Sequence, residues 1–106
     1  MGKVYFITDG INIKIGFTKL KIENRLKQLQ TGSVHKLMIL GYINGTMEDE
    51  KKLHQMFAQY KVRYNGEWFN PSPELIEYIN KHNKIKNCYV DWLDDKLMPF
   101  FSMSII

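Results

Sequence analysis

A tyrosine and a lysine near the start of the chain are the first side chains whose spacing suggests chemistry. In the stretch from Lys3 to Gly16, Asp9-Gly10 lies between alternating β-forming residues. This pattern is typical of a two-residue type I′ hairpin turn, and with that turn Tyr5 pairs with Lys14 across the two strands. Side chains alternate along a strand, so an apolar set shares the opposite, buried face: Val4, Phe6, Ile13 and Ile15. The hairpin therefore predicts a phenol beside an ammonium group on one surface.

A second pair of reactive groups, Glu50 and His54, lies in a predicted helix. Their i, i+4 spacing places both side chains on the same side of that helix. A carboxylate and an imidazole can bind a metal ion, but an isolated pair of this kind is more often a surface ion pair and does not predict zinc. Glu50 also follows Glu48 and Asp49 in the first helical turn, where negative charge favours the helix dipole. Glu50 is thus either a metal ligand or a helix-start carboxylate.

Positive charge is concentrated in the first third of the chain. The net charge is +4, and residues 1–36 hold seven Lys and Arg residues against two acidic ones, whereas residues 87–106 hold one against three. A phosphate backbone would be attracted to the basic part, although a solvated lysine face is the alternative interpretation. The candidates for such contacts flank the first predicted helix: Lys19, Lys21, Lys27 and Lys36.

Apolar spacing predicts the elements that would position these side chains. A first helix covers about Leu20 to Gln30, a second begins at the N-cap Thr46, and a third begins at the N-cap Ser72. An apolar stretch between the first two helices predicts a third strand, and the segment around Trp68 predicts a short further one. A last short helix is suggested by Val90, Leu93 and Leu97. The fold class is thus α+β, a small central antiparallel three-stranded sheet flanked by helices in the order β-β-α-β-α-(β)-α.

With these elements placed, the sequence resembles the GIY-YIG nuclease superfamily, most of all its small, often phage-encoded branch. The motifs that carry the resemblance are Val4-Tyr5-Phe6-Ile7, Lys14-Ile15-Gly16, Arg25-Leu26-x-x-Leu29-Gln30-Thr31-Gly32, Glu50-x-x-Leu53-His54 and Glu67-Trp68-Phe69. They occur in order from about Lys3 to Ile79. The five together are much more specific than any one of them.

The resemblance implies an active site. Tyr5 would contact or deprotonate the attacking water, Arg25 would bind the phosphate, and Glu50 would hold one Mg²⁺ or Mn²⁺. Lys14 stands where the family has its second tyrosine, and there a cation would stabilise developing negative charge. His54 completes the set of candidate catalytic residues. We expect the hairpin pair on the same face as Arg25 and Glu50.

Three functions are compatible with the sequence. The resemblance implies a metal-dependent DNA endonuclease. Many family members choose their target with a second domain, which we do not expect here, so we expect any sequence preference to be weak. The alternatives are a DNA-binding module with the same fold but no cleavage activity, and a protein-interaction domain that uses the apolar C-terminal segment. In a purely structural interpretation Tyr5 packs over the stem of Lys14, and Arg25 is a solvated or salt-bridged residue.

The predicted organisation is a nuclease-like domain over residues 1–84 and an apolar extension over residues 85–106. The extension would pack on the domain or on a second copy, giving a monomer or a homodimer, through Phe100, Phe101, Ile105 and Ile106. No apolar stretch approaches the roughly 18 residues of a membrane span, and the single Cys88 excludes an internal disulfide framework. We expect a cytoplasmic location without membrane contact, which for a phage-encoded protein would be the infected host cell.

Overall fold

A computed structural model of the protein describes residues 2–62, 66–85, 88–93 and 98–103. An antiparallel sheet of four strands has the spatial order β3-β1-β2-β4, with the strands β1 (Gly2–Thr8), β2 (Ile13–Thr18), β3 (Met38–Gly45) and β4 (Trp68–Phe69). Three α-helices follow in the chain order predicted, α1 (Ile22–Thr31), α2 (Met47–Met56) and α3 (Pro73–His82), and a short 3₁₀ turn at Ala58–Tyr60 follows α2. The α+β class is confirmed. The sheet has one strand more than the predicted three because β4 pairs with the outer edge of β2.

Both faces of the sheet are covered by helices. Apolar side chains on one face of β1 and β2 pack with residues of α2 and α3, in a core formed by Val4, Phe6, Ile13, Ile15, Leu53, Phe57, Leu75 and Ile79. The opposite face packs against α1 in a smaller cluster, which contains Tyr5, Ile7, Ile22 and Leu37. Since α1 and α2 lie on opposite faces, side chains from these two helices can approach each other only around the edge of a strand.

The hairpin between β1 and β2 has a longer loop than predicted. Thr8 pairs with Ile13, so Asp9 to Asn12 form a four-residue loop, and the predicted pairing of Tyr5 with Lys14 is wrong. The Asp9 carboxylate selects this loop by accepting hydrogen bonds from the backbone N–H groups of Ile11 and Asn12, at 2.9 and 2.8 Å.

The new register moves the pairing by two residues. Tyr5 lies opposite Gly16, and Lys14 lies opposite Ile7. Because side chains alternate with a period of two, a shift of two positions leaves every side chain on its predicted face. Tyr5 and Lys14 therefore share a face as diagonal neighbours.

The N-termini of α2 and α3 are capped as the sequence predicts. The Thr46 hydroxyl accepts from the Asp49 N–H at 3.3 Å, and the Asp49 carboxylate accepts from the Thr46 N–H at 2.8 Å. Ser72 Oγ accepts from the N–H of Leu75 at 3.1 Å, with Pro73 as the first helical residue. Each cap supplies an acceptor to a backbone donor that has no partner within the helix, and so fixes where the helix begins.

The outer edge of β3 is covered by an asparagine side chain. The register between β1 and β3 shifts where Leu40 forms a bulge, and there Asn83 Nδ2 donates to the Leu40 carbonyl at 3.1 Å. Asn83 Oδ1 accepts from the Tyr42 N–H at 3.1 Å. The side chain fits because Gly41 has no Cβ: one built there would lie 2.4 Å from the Asn83 amide carbon. The amide thus takes the place of a further strand at this edge.

The predicted C-terminal helix is wrong. Strand β5 (Cys88–Leu93) occupies the first part of that stretch and pairs antiparallel with β6 (Met98–Met103), with Val90 opposite Phe101. Both segments are rich in aromatic and other β-forming residues, and strand pairing satisfies their backbone better than one isolated helical turn. Leu97, Ile105 and Ile106 lie outside the described residues. Packing of the extension on the domain or on a second copy stays a prediction.

None of the helices in the described part of the chain combines the length and the hydropathy that crossing a bilayer requires.

Candidate functional site

Tyr5 lies across the backbone of β2 because Gly16 has no side chain. The tyrosine is 1% exposed, and a Cβ built on Gly16 would lie 2.3 Å from the phenolic oxygen and 2.4 Å from Cζ. Any residue other than glycine would displace the ring. This contact explains the glycine of the Lys-Ile-Gly motif: it leaves the space through which the phenol reaches the edge of β2.

Arg25 extends from α1 to the same phenol. Its Nε donates to Tyr5 Oη at 3.4 Å, a long hydrogen bond, and its Nη1 donates to Gln28 Oε1 at 3.0 Å. The half-buried position beside the apolar stripe of α1 is the one the helical spacing indicates. Tyr5 and Arg25 are therefore brought together, as the sequence predicts.

Lys14 is paired with an acidic residue that sequence reasoning did not select. Its ammonium forms an ion pair with Glu67, which immediately precedes β4, and lies 5.7 Å from the centre of the Trp68 ring. The pair joins residues 53 positions apart, and it is held by the hydrogen bond from the Ile15 N–H to the Glu67 carbonyl at 3.0 Å. The only signal in the sequence was the Glu-Trp-Phe motif, which predicts a strand edge but no partner for Lys14.

Glu50 and His54 reach β2 from α2. His54 Nε2 donates to the Ile15 carbonyl at 2.9 Å, so this nitrogen carries a proton, and Glu50 Oε2 lies 3.6 Å from the same nitrogen. The imidazole also packs edge-on against Phe69, with ring centres 5.0 Å apart. The two side chains are only 15% and 18% exposed. Glu50 and His54 thus form an ion pair, as considered from sequence, but a partly buried one at the edge of the sheet.

Burial raises the pKa of the Glu50 carboxyl above its usual range, and the negative charge of Glu67 raises it further. The charges of His54, Lys14 and Lys51 act in the opposite direction. The charges of Lys14 and Glu67 both act on the Glu50 carboxylate, so Glu50 lies near this ion pair.

The Lys14-Ile15-Gly16 segment of β2 connects all of these groups. Lys14 binds Glu67, the Ile15 carbonyl accepts from His54, and Gly16 admits the Tyr5 ring. The expectation of a single face is wrong for Glu50. Helix α2 packs its apolar side on the face opposite to α1, so Glu50 reaches the site at the edge of β2.

Glu50 is suited to a hard divalent cation. Within the described ranges its carboxylate has His54 as its only partner, at 3.6 Å, so no close donor occupies its oxygens. Mg²⁺ keeps several waters and is commonly held by one or two carboxylates together with substrate phosphate. No cluster of three or more metal-ligating side chains occurs in the described part of the chain. Glu50 would therefore act with water and substrate as the remaining ligands.

The four lysines singled out from sequence are all exposed and surround α1: Lys19, Lys21, Lys27 and Lys36.

Replacing Gly16 tests the contact with Tyr5. Gly16→Ala places a methyl group within 2.3 Å of the phenolic oxygen, and the ring is buried and cannot move without disturbing its neighbours. We expect a loss of about 1–3 kcal/mol in the free energy of unfolding, measured by urea denaturation. Gly32→Ala is the control, because nothing lies within 4 Å of a Cβ at that position. Equal stability of the two variants would contradict the contact.

Replacing Glu50 tests its desolvation. Because the folded-state pKa of the Glu50 carboxyl lies above the usual 4.5, the folded protein holds this proton more tightly than the unfolded chain does. The ionised carboxylate therefore lowers stability as pH rises from 4.5 through the folded-state pKa. Glu50→Gln should be at least as stable as the unmodified protein at pH 7, with a smaller difference near pH 4. A variant less stable than the unmodified protein at pH 7 would show that the carboxylate stabilises the fold.

Comparison with known protein families finds a match over most of the chain. A family profile described as the T5orf172 domain matches residues 2–92, from β1 into β5. No curated protein and no solved structure matches the chain. Since the matched region covers most of the sequence, this protein belongs to the T5orf172 domain family.

Proposed function

We propose that this protein is a metal-dependent DNA endonuclease of the GIY-YIG type that cleaves phosphodiester bonds with low sequence specificity. One observation carries the proposal. The Tyr5–Arg25 pair and the half-buried Glu50 carboxylate both lie at the Lys14-Ile15-Gly16 segment of β2. The T5orf172 family supports it, because this domain is found in phage and homing-endonuclease-like proteins.

Arg25 and Tyr5 form the part of the site that binds phosphate and positions water. The guanidinium uses Nε on the phenol and Nη1 on Gln28, and its other N–H groups bind non-bridging phosphate oxygens. Because Tyr5 Oη accepts from Arg25, its own proton is directed away from the guanidinium. The phenol then donates to the attacking water and orients it or, as the phenolate, accepts a proton from it.

Glu50 and His54 form the acidic part of the site. A divalent cation held by Glu50, Mg²⁺ or Mn²⁺, would supply Lewis-acid chemistry that neutralises phosphate charge and activates water. His54 donates to the Ile15 carbonyl and so fixes its ring beside Glu50, which keeps the carboxylate at the edge of β2. His54 is thus a positioning residue in this proposal.

Lys14 can contact phosphate only when its ion pair with Glu67 is broken. Glu67 is 51% exposed, so its side chain can move into solvent, whereas the Lys14 side chain is only 11% exposed and its ammonium lies over the Trp68 ring. A phosphate that binds there takes the place of the Glu67 carboxylate, so the positive charge of Lys14 still has an anionic partner. The ammonium then stabilises the negative charge that develops on the phosphate.

A DNA-binding module without cleavage is the second candidate. The observation that favours it is Lys14, which stands at the second tyrosine position and is neutralised by Glu67. In either case the proposed partner is DNA and the proposed location is the cytoplasm of the cell or of an infected host. The protein-interaction alternative depends on the C-terminal segment.

The two candidates differ in their need for Glu50. Glu50→Gln should lower Mg²⁺- or Mn²⁺-dependent cleavage of plasmid DNA at least about 100-fold, while DNA affinity in chelator is unchanged or slightly higher. Mn²⁺ should raise the melting temperature of the unmodified protein but not that of this variant, because only a folded site binds the cation.

Glu48→Gln is the matched control for this experiment. Glu48 is an exposed acidic residue in the same helical turn, so its loss changes the charge equally but leaves the site intact. The control should cut normally. If the unmodified protein binds DNA yet cuts with neither metal, the binding-module candidate replaces the nuclease.

The lysines around α1 are tested through salt dependence. Changing Lys19, Lys21 and Lys27 together to Gln should weaken binding equally for unrelated DNA sequences. The slope of log affinity against log salt concentration should fall in magnitude by up to about 3, because each phosphate contact contributes about 0.9.

A matched triple variant removes the same charge elsewhere. It changes three exposed lysines that lie on α2, on α3 and just after α3: Lys52, Lys81 and Lys84. This control should change the slope much less. The same slope in the α1 variant and the unmodified protein would mean that the α1 lysines form only a solvated face.

A further inference from the structure

We propose that an open cleft beside Lys14 binds an unpaired nucleobase next to the phosphate that is cut, an inference that rests on the proposed function. The cleft encloses about 630 Å³ between the β1–β2 loop, the C-terminal end of α1 and β4. Its lining includes the cation of Lys14, the carboxylate of Asp9, the amide of Gln28 and the apolar groups of Trp68, Leu29, Leu37 and Val34.

The walls of the cleft suit a flat, apolar ring. Trp68 is partly buried against the cluster that contains Tyr5 and Ile7, so its indole is held in place and does not need to be ordered by a ligand. Leu29 and Leu37 provide aliphatic surface from the α1 side, and Val34 is 95% exposed at the rim. Proteins that recognise unpaired bases stack them on rigid aromatic side chains of this kind.

The cleft is physically continuous with the proposed phosphate site. Lys14 belongs to both, since its ammonium lies 5.7 Å from the Trp68 ring centre and its charge acts on Glu50. Gln28 also belongs to both, because its Oε1 accepts from Arg25 Nη1 while the residue lines the cleft. A nucleotide bound with its phosphate at Arg25 would therefore have its base within reach of Trp68 and Gln28.

A cleft of this kind would favour DNA with unpaired bases over intact duplex. A base stacked and paired in a duplex cannot enter a cleft whose walls contact the faces of the ring, whereas a base in a single strand, a loop or a distorted duplex can. The Gln28 amide provides a hydrogen-bonding group for the edge of that base. We infer that single-stranded or distorted DNA is bound more tightly than intact duplex.

The experiment uses full-length protein carrying Glu50→Gln, in chelator, so that binding is measured without cleavage. Fluorescence anisotropy compares a single strand, a strand of the same length whose sugars carry no bases, and a duplex. The strand without bases keeps every phosphate, so electrostatic binding is unchanged. We expect it to bind about 5- to 100-fold more weakly than the normal strand, and the duplex also to bind more weakly.

Variants of Trp68 assign the effect to the cleft. Trp68→Ala should remove the preference for base-bearing DNA, and Trp68→Phe should retain part of it because a smaller aromatic face remains. Met56→Ala removes an exposed apolar side chain on α2, away from the cleft, and should leave the preference unchanged.

A spectroscopic measurement applies even if Trp68→Ala does not fold. The chain has two tryptophans, so Trp92→Phe leaves Trp68 as the only one. A base stacked on Trp68 should quench its fluorescence, and the strand without bases should not.

The outcomes separate this inference from the proposed function. Equal binding of strands with and without bases, or no quenching of Trp68, overturns the cleft proposal while a cleavage activity that requires Glu50 would stand. Absence of both DNA binding and cleavage overturns the proposed function and the cleft proposal together.

Discussion

The missing side chain at Gly16 is the constraint on which the rest of the site depends. The Tyr5 ring occupies the space that a Cβ would fill, and from there its hydroxyl meets Arg25. The two preceding residues of β2 use their other groups, the Lys14 ammonium and the Ile15 carbonyl, to hold Glu67 and His54. Three consecutive residues on a central strand thus organise helices that lie on opposite faces of the sheet. A site built on such a strand inherits its rigidity.

The charges of this site are arranged at some cost to the fold. Glu50 is partly withdrawn from water without a close hydrogen-bond donor, and the nearby Glu67 adds repulsion. Glu67 is retained at this place by its ion pair with Lys14. A cation near Glu50 would relieve both unfavourable interactions at once. Under the proposed function, binding of a cation at Glu50 would therefore also stabilise the folded protein.

Features of the fold that depend on residues close together in the sequence were the ones that could be predicted. The caps at Thr46 and Ser72 are local, because each helix start depends on residues three positions apart, and both were predicted correctly. The faces of β1 and β2 were also predictable, since alternation survives a register shift of two. The loop length was not, because Asp9-Gly10 is compatible with two kinds of turn and the Asp9 side chain decides between them.

The interactions that escaped prediction connect distant parts of the chain. Nothing near Lys14 in the sequence indicates Glu67, since β4 must first pair with β2 to bring them together. The spacing of Val90 and Leu93 fits a helical turn as well as a strand, and only the partner β6 resolves it. The position of Glu50 at a strand edge likewise depends on which face of the sheet α2 covers. The sequence of α2 alone does not determine that face.

The asparagine at the edge of β3 has a consequence for biosynthesis. The strand is complete once Gly45 has been made, yet the amide that covers its outer edge belongs to Asn83, which follows α3. A chain emerging from the ribosome therefore carries an uncovered sheet edge while α2, β4 and α3 are still being synthesised. Such an edge can pair with another chain, so this protein is open to aggregation through β3 until Asn83 has emerged. A truncation that ends before α3 would prolong that vulnerability indefinitely.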